Sequence, residues 1–402
     1  MSLPSQTQLM LPLLQSLDEL GGAAKPGELY DLIASKLNLA PESRTALGGR
    51  TDRKAFNLYE RRVRWTRQTA VFNGLIDGSQ RSVWQLTQKA RARLKNIVAG
   101  KVLHVFHTEL GSFLWGNAED VVGYVERGSL QLIMTSPPYA LNKPREYGPT
   151  EIEWGDWMLR LCEGWLPLLT QTGSIMLNVG PVWRQGVPAQ SLYIERFLVR
   201  AEDTLGLSLL QRLDWHSPTK LPVPLNWVGI ERCRVTPSIE PILWMSPSPN
   251  AFGDNRQVLR PYTEGGLRAI AGREPRETGP AGFKFGEKSF VDRGGSIPPS
   301  LIVASPTCGE EQRYRKAARA VGRIPHPAIM PAAVARFGIQ LATKVGDTVF
   351  DPLCGSGTVP VEAEKLGRHA IGSDRSLEYL ESAALRCQAE GLSVTRCSAL
   401  AA

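Results

Sequence analysis

Apolar and polar residues alternate in two ways along this chain, and the change of pattern divides it near residue 98. Before that point the apolar positions recur at helical spacing. The predicted helices cover 6–20, 26–39 and 54–74, with a loop at 40–52, a hairpin-like ending at 82–87 and a short basic helix at 88–94. Beyond it, short apolar runs alternate with helical segments, a pattern that predicts an α/β domain.

One apolar run ends in an unusual tip. Leu132 to Met134 predict a short buried strand, and Pro137 and Pro138 cannot continue a ladder because neither has an N–H. The Ser136 hydroxyl and the Pro137 carbonyl are then free to face a ligand amino group, and Tyr139 offers a flat stacking surface. This tip suits a planar base with an exocyclic amine.

A second stretch predicts a strand, a tight glycine turn and a helix, over residues 348–366. Gly355 and Gly357 allow close approach to the backbone, and the helix that begins at Thr358 offers free N–H groups to a carboxylate. The next strand ends in Asp374, which is placed to accept two ribose hydroxyls. Neither the dinucleotide fingerprint nor the Walker phosphate loop is present, so a sulfonium cofactor with a methionine tail fits better.

Together these motifs resemble those of bacterial amino-methylating DNA methyltransferases. Thr-Ser-Pro-Pro-Tyr precedes Asp-Pro-Leu-Cys-Gly-Ser-Gly-Thr, which is the order of the β class, and further matches lie at 146–148, 214–220, 240–244 and 326–331. The likeness covers roughly residues 100–402. Ser136, where adenine enzymes usually have Asp or Asn, is similar to the N4-cytosine branch with its PvuII-type enzymes.

The resemblance implies that S-adenosylmethionine is the cofactor and that double-stranded DNA is the substrate. The implied catalytic residues are Ser136, Pro137, Pro138 and Tyr139. The implied cofactor-binding residues are Thr135, His326, Pro327, Asp351, Pro352, Leu353, Cys354, Gly355, Ser356, Gly357, Thr358 and Asp374.

Positive charge is unevenly spread. The formal net charge is +8, and residues 1–100 carry 15 Lys and Arg against 8 Asp and Glu, while residues 250–325 carry 13 against 8. Binding to a phosphate backbone requires such segments, although a solvated basic face is a common alternative. The first segment resembles the winged-helix modules of restriction-associated proteins, and a helical packing or dimerisation domain remains the other interpretation.

The second basic segment lies where β-class enzymes carry their target-recognition region, and its pattern of apolar residues is irregular. Arginine can read guanine bidentately, so DNA reading is favoured over a disordered linker. Trp215 and His216 are candidate walls of the base pocket, and a core Trp with a solvated His is the other interpretation. The predicted DNA-binding residues are Arg61, Arg64, Arg67, Arg256, Arg260, Arg268, Arg273 and His216.

The cysteines, at 162, 233, 308, 354, 387 and 397, form no Cys-x-x-Cys pair, so neither a zinc site nor a disulfide framework is predicted. No metal is expected, and a reducing bacterial cytoplasm is the expected compartment. No apolar segment is long enough to predict a membrane span. The sequence leaves open whether the protein forms a homodimer and whether a cognate restriction endonuclease exists.

We therefore predict a Rossmann-like S-adenosylmethionine-dependent methyltransferase that methylates cytosine N4 in double-stranded DNA. The predicted domains are a winged-helix-like module (1–98), a catalytic half (99–245), a target-recognition region (246–325) and a cofactor-binding half (326–402). N6-adenine methylation is the nearest alternative. A DNA-binding regulator with a decayed catalytic half and a protein-glutamine methyltransferase are more distant ones, because the motifs are intact and the latter would carry Asn at the position of Ser136.

Overall fold

The structure is a computed structural model. It describes the chain except residues 1–2, 5, 38, 49–54, 73, 81, 89, 91–101, 141–150, 272–290, 324, 327 and 398–402. The chain divides into two compact units, Met1–Ala99 and Gly100–Ala402. None of the helices that the structure describes is both long and apolar enough to cross a bilayer.

The first unit is helical with two very short sheets. Its helices are α1 (Gln6–Glu19), α2 (Pro26–Lys36), α3 (Pro41–Thr45) and α4 (Leu58–Phe72), and its strands are β1 (Ala23–Ala24), β2 (Leu47–Gly48), β3 (Phe56–Asn57) and β4 (Trp84–Gln85). Strand β1 pairs with β4 and β2 with β3, both antiparallel. The predicted loop at 40–52 is wrong where α3 forms, since Pro41 can occupy the first turn of a helix.

The core of this unit is built from the apolar faces of its helices. Leu13 of α1, Leu29 of α2 and Val63 of α4 are fully buried, and Trp84 of β4 is buried with them. Helical spacing therefore does produce amphipathic helices here, as expected for a small helical module.

The second unit is built on a mixed sheet of ten strands in the order β11-β9-β10-β8-β7-β12-β13-β6-β5-β14. Its strands are β5 (Leu103–His107), β6 (Gly111–Trp115), β7 (Leu130–Thr135), β8 (Leu169–Asn178), β9 (Ser208–His216), β10 (Ile239–Ser246), β11 (Leu301–Val303), β12 (Thr348–Asp351), β13 (His369–Asp374) and β14 (Thr395–Arg396). The five strands from β8 to β6 pair parallel. The expected α/β fold is confirmed.

Helices accompany this sheet. They are α5 (Ala118–Val121), α6 (Glu151–Trp165), α7 (Tyr193–Leu205), α8 (Glu264–Ala271), α9 (Gly309–Ala320), α10 (Ala332–Ala342), α11 (Thr358–Lys365) and α12 (Leu377–Ala389). Short 3-10 turns occur at Val122–Tyr124, Leu166–Leu168 and Asn255–Val258, and a π-helical turn at Asn226–Ile230. Two hydrophobic clusters form the main core, one containing Trp154 and Phe197 and the other Ile339 and Val349.

The order of the strands reverses between β7 and β12. From β7 the chain passes through α6 to its neighbour β8, whereas from β12 it passes through α11 to β13 on the opposite side. Open α/β sheets bind their ligands at the carboxyl ends of the strands at such a switch point. The predicted catalytic tip follows β7 and the predicted glycine turn follows β12.

The described parts of the segment 246–325 contain more regular structure than their sequence suggested. They include α8, the short strand β11, which pairs parallel with β9, and the twelve-residue helix α9. Helix α9 was missed because one of its inward positions carries the charged Glu311, which obscures the apolar spacing set by Tyr314 and Ala318.

Candidate active site

The Ser-Pro-Pro-Tyr segment, residues 136–139, directly follows the carboxyl end of β7 and is called the catalytic tip. Every residue of β7 is buried, and Ser136 and Tyr139 beyond it are half-buried, while Pro138 is exposed. The indole N–H of Trp154 donates a 2.7 Å hydrogen bond to the Pro138 carbonyl. This contact from helix α6 fixes the backbone where the two prolines leave the sheet.

Polar groups from segments distant in the sequence hold the Tyr139 side chain. Its hydroxyl donates to the Glu240 carboxylate at 2.5 Å, and the Lys220 ammonium forms an ion pair with the same carboxylate. The Ser136 hydroxyl also hydrogen bonds the Tyr139 oxygen. Burial first, and the Glu240 charge second, hold the pKa of the Tyr139 phenol well above its ordinary value, so it stays a donor.

The aromatic ring of Tyr139 lies against a glycine. A Cβ placed on Gly180 would stand 2.3 Å from the Tyr139 Cε2 atom, so only glycine leaves room for the ring. The Tyr193 hydroxyl donates to the Gly180 carbonyl at 2.5 Å and holds this support in place. Glu240, Lys220 and Gly180 thus position Tyr139. The sequence matches at 214–220 and 240–244 contained two of these residues, but the sequence alone assigned them no role.

The glycine turn after β12 has the expected geometry. Gly355 and Gly357 have φ values of 51° and 77°, a region that favours glycine, and Gly357 lies directly before α11. A Cβ on Gly357 would meet the Ala383 Cβ at 2.9 Å. The first turn of α11 has backbone N–H groups without partners inside the helix, and these groups favour an anionic ligand.

Backbone amides hold both carboxylates of this site. Asp351 accepts from the Leu353 N–H at 3.1 Å, and Asp374 accepts from the Gly355 and Ser376 N–H groups at 3.0 and 2.8 Å. Burial raises the pKa of Asp351 to about 7 and that of Asp374 to about 6. The Thr135 hydroxyl lies against Asp351 and opposes this rise, which links the end of β7 to the end of β12.

His326 lies over the glycine turn. A Cβ on Gly355 would stand 3.2 Å from the imidazole Nε2 atom. The ring of Tyr379 packs edge-on against the imidazole, with 4.4 Å between the two ring centroids. Burial lowers the pKa of His326, and its Nδ1 atom accepts from the Ala328 N–H, which assigns the remaining proton of the neutral ring to Nε2. Pro327, also predicted for this site, lies outside the described residues.

The sequence did not predict a buried network of charged side chains that supports the glycine turn. Arg386 of α12 donates to the Ser356 carbonyl at 2.9 Å, packs its guanidinium over the Tyr314 ring, and lies 4.0 Å from the carboxylate of Glu311. Glu311 in turn accepts from the Ala332 N–H at the start of α10. Helix α9, within the region predicted for target recognition, therefore supports the cofactor half.

The arginines predicted to bind DNA from helix α4 differ in their availability. Arg61 and Arg64 are exposed, with Arg61 over the Phe56 ring and Arg64 paired with Glu60. The prediction that Arg67 binds DNA is corrected, because this side chain is buried and donates to the Gln80 carbonyl at 2.9 Å. Its place in the helix turns it toward the hairpin after α4, so it does not face a phosphate backbone.

The predicted DNA-binding residues of the second unit differ in their surroundings. Arg256 and Arg268 are highly exposed, and each pairs with a nearby carboxylate. Arg260 donates to the Leu301 carbonyl, and His216 ends β9 half-buried. Arg273 lies outside the described residues. Trp215, considered with His216 as a pocket wall, is buried in the core and donates to the Ala304 carbonyl, so it does not line a pocket.

Comparison with known proteins identifies the family. A family model described as DNA methylase matches residues 130–385, which is more than half of the chain. The chain belongs to the DNA methylase family. A second model, described as the Mrr N-terminal domain, matches residues 7–96 of this DNA methylase.

Two curated relatives and one solved structure give the extent of the similarity. The DNA methylase is 33% identical to the Type II methyltransferase M.PvuII of Proteus hauseri over 70% of this chain and 84% of the relative. It is 25% identical to M.ScaI of Streptomyces caespitosus over 69% and 82%. The structure of PvuII DNA methyltransferase (cytosine-N4-specific) aligns with a TM-score of 0.58 at 29% identity and covers 70% of this chain and 87% of that one.

These matches confirm the predicted resemblance to PvuII-type DNA methyltransferases and the presence of a separate N-terminal module. The protein is a DNA methyltransferase. Its substrate is therefore DNA.

Proposed function

We propose that this DNA methyltransferase transfers a methyl group from S-adenosylmethionine to the N4 amine of a cytosine turned out of double-stranded DNA. The observation that carries the proposal is the meeting of the two motifs at one switch point. The Ser136 tip and the Asp351 turn follow adjacent parallel strands, β7 and β12, and Thr135 touches Asp351. A methyl donor held by one motif would face an amine held by the other.

The residues of the turn fit S-adenosylmethionine. The glycines leave the backbone open, the first turn of α11 offers N–H groups to a carboxylate, and the buried Asp374 suits ribose hydroxyls because hydroxyl donors relieve its desolvation. Asp351, Pro352, Leu353, Cys354, Ser356, Thr358 and His326 would complete the cradle. When bound, the sulfonium supplies an electrophilic methyl group.

The tip would receive the target base. Tyr139 would stack on the extruded base, and its hydroxyl bond to Glu240 keeps the ring in place during stacking. The amine would donate to the Ser136 hydroxyl oxygen and to the Pro137 carbonyl. These contacts make the nitrogen more pyramidal and more nucleophilic, so a direct displacement at the methyl carbon needs no covalent intermediate.

Cytosine is favoured over adenine by the residue at the start of the tip. Ser136 stands where adenine enzymes usually have Asp or Asn, and its hydroxyl can both accept from the N4 amine of cytosine and donate to the N3 acceptor beside it. The relative M.PvuII, whose solved structure is named cytosine-N4-specific, supports the same base.

Product analysis tests the base. The purified enzyme is given tritiated S-adenosylmethionine and host DNA, and the product nucleosides are separated and identified by mass spectrometry. We expect N4-methylcytosine. Recovery of N6-methyladenine would reject the choice of cytosine while leaving the cofactor and the tip unchanged, and an enzyme that binds DNA without transferring a methyl group would support a regulator instead.

We further propose that the N-terminal unit contacts phosphates through Arg61 and Arg64, and that residues 246–325 read the target through Arg256, Arg260 and Arg268. The exposure of Arg61, Arg64, Arg256 and Arg268 supports this, because phosphate contacts and groove contacts both need solvent-facing guanidinium groups. His216, at the end of β9, would lie at the edge of the base site.

The salt dependence of binding tests the first of these roles. Replacing Arg61 and Arg64 together by Ala should weaken DNA binding and lower the slope of log affinity against log salt by about 1–2, with the methylated sequence unchanged. A change in the methylated sequence would show that the N-terminal unit reads bases and would overturn the assignment to 246–325.

A further inference from the structure

The edge of the large sheet carries a cluster of potential metal ligands far from the active-site motifs in the sheet order. His104 and His107 belong to β5, and Cys397 directly follows β14, the edge strand that pairs with it. The Nδ1 or Nε2 atoms of both histidines and the Cys397 Sγ atom lie within 4.8 Å of one another. Two of the five histidines of the chain therefore lie beside a thiol.

A backbone irregularity brings the two histidines to one face. Residues three apart on a regular strand point to opposite faces of a sheet. Here the register of β5 against β6 shifts between His104 and Phe106, so one extra residue, Val105, is accommodated. Val105 and Phe106 are consequently both buried, and His104 and His107 are both exposed.

The thiol is placed by the pairing of the edge strand. The Cys397 N–H donates to the Val105 carbonyl at 3.0 Å, opposite the irregularity, and the Cys397 Sγ atom lies 4.0 Å from His107 Nδ1. Tetrahedral zinc with ordinary Zn–N and Zn–S bonds would hold a nitrogen and a sulfur about 3.6 Å apart. The Cys397 Sγ and His107 Nδ1 atoms therefore need to approach by about 0.4 Å, and a pair of ligand atoms as far apart as 4.8 Å by somewhat more than about 1 Å, which side-chain rotation at the sheet edge can supply.

We propose that His104, His107 and Cys397 form a site for a zinc-type divalent cation that fastens strand β14 to the sheet. Two imidazoles and a thiolate are ligands that zinc prefers, and water would take the fourth position. Binding releases the thiol proton to solvent. The cysteine spacing used to exclude zinc could not detect this cluster, because Cys397 and His107 are 290 positions apart.

Metal titration of the full-length protein tests the site. After removal of metal with a chelator, zinc is added in competition with a chromogenic chelator, and Co²⁺ is added separately to record the thiolate charge-transfer band. We expect one tight equivalent of zinc and a Co²⁺ thiolate band, and Cys397→Ser should abolish the band and weaken zinc binding at least about tenfold.

Two matched controls identify the thiol and the imidazoles. Cys308 lies beside Glu310 and Glu311 in the other cluster of potential ligands among the described residues, and Cys308→Ser should leave the band intact. His369 is exposed on β13 and outside the cluster, so His369→Ala should bind zinc as the wild type does, whereas His107→Ala should not.

Hydrogen exchange distinguishes a fastened strand from an adventitious surface ion. Zinc should slow exchange of the Cys397 amide, which donates to Val105, in the wild type but not in Cys397→Ser. Absence of stoichiometric zinc, a Co²⁺ band that survives in Cys397→Ser, or an exchange rate that zinc leaves unchanged would each overturn the proposal.

Discussion

The two halves of the active site are held in different ways. The glycine turn is held through its backbone, since the Gly357 N–H donates to the Cys354 carbonyl at 2.7 Å, the Gly355 N–H donates to Asp374, and Arg386 donates to the Ser356 carbonyl. The catalytic tip is fixed by side chains from distant segments, since Tyr139 bonds Glu240 across 101 positions.

This difference separates two kinds of control over the reaction. A turn whose backbone is held by several separate hydrogen bonds can keep its shape when one of them is lost, so variants there should act through the affinity for the cofactor. A tip whose aromatic ring depends on Glu240 and Gly180 should respond to changes in distant strands, and those changes should act through the rate of transfer.

The largest effect is expected at the tip itself. Ser136→Ala should lower methyl transfer by about 10²-fold or more, with little change in the affinity for S-adenosylmethionine, because a positioned polar group is lost. Single-turnover kinetics with tritiated cofactor measures the rate. Because Ser136 also hydrogen bonds Tyr139, the matched variant is Tyr139→Phe, which keeps the stacking ring. Equal losses in both variants would mean that Ser136 acts only through Tyr139.

The next largest effect is expected at the glycine turn, on the affinity for the cofactor. Asp374→Ala should weaken binding of S-adenosylmethionine by about 1.5–3 kcal/mol, the range for charged hydrogen bonds, while the rate at saturating cofactor changes little. Calorimetry measures the affinity. Asp374 also accepts from Gly355 and Ser376, so Asp374→Asn, which keeps one acceptor oxygen, is the control and should lose less. Unchanged affinity in a folded Asp374→Ala variant would remove this carboxylate from the site.

The same contrast explains what could be predicted from the sequence. The glycine turn was predictable because Gly355, Gly357 and Asp374 are diagnostic over a short stretch. The support of Tyr139 by Gly180 was not, because no local pattern says which glycine a ring will approach. Helix α9 was hidden for a related reason, since its buried Glu311 is balanced by Arg386, a partner that only the fold brings near.

A smaller effect is expected from the glycine beneath the ring. Gly180→Ala places a methyl group where the Tyr139 ring lies and should lower the rate of transfer by about tenfold, leaving the affinity for the cofactor near that of the wild type. Gly123→Ala is the matched control, because nothing lies within 4 Å of a Cβ at Gly123. A rate for Gly180→Ala equal to that of the control would show that the position of the ring does not limit transfer.

The smallest effect concerns stability and pH in the turn. Burial raises the pKa of Asp351 to about 7, so the fold favours its protonated form. That contribution to the free energy of unfolding is fully present below the pKa of the unfolded chain, near 4, and is lost as the pH rises through about 7. Without cofactor, Asp351→Asn should therefore be more stable than the wild type at pH 8, by on the order of 1–2 kcal/mol, and similar to it at pH 4.

Urea unfolding at the two pH values, followed by tryptophan fluorescence, measures this difference. Asp374, whose pKa is raised to about 6, remains in both proteins and contributes with the same sign; because its charge also raises the pKa of Asp351, the difference reports Asp351 together with its interaction with Asp374. A variant that is less stable than the wild type at pH 8 would show that the carboxylate is satisfied in the empty turn. The predicted result would instead mean that the turn keeps a destabilising charge, which is physically reasonable only if a donor on the cofactor relieves it.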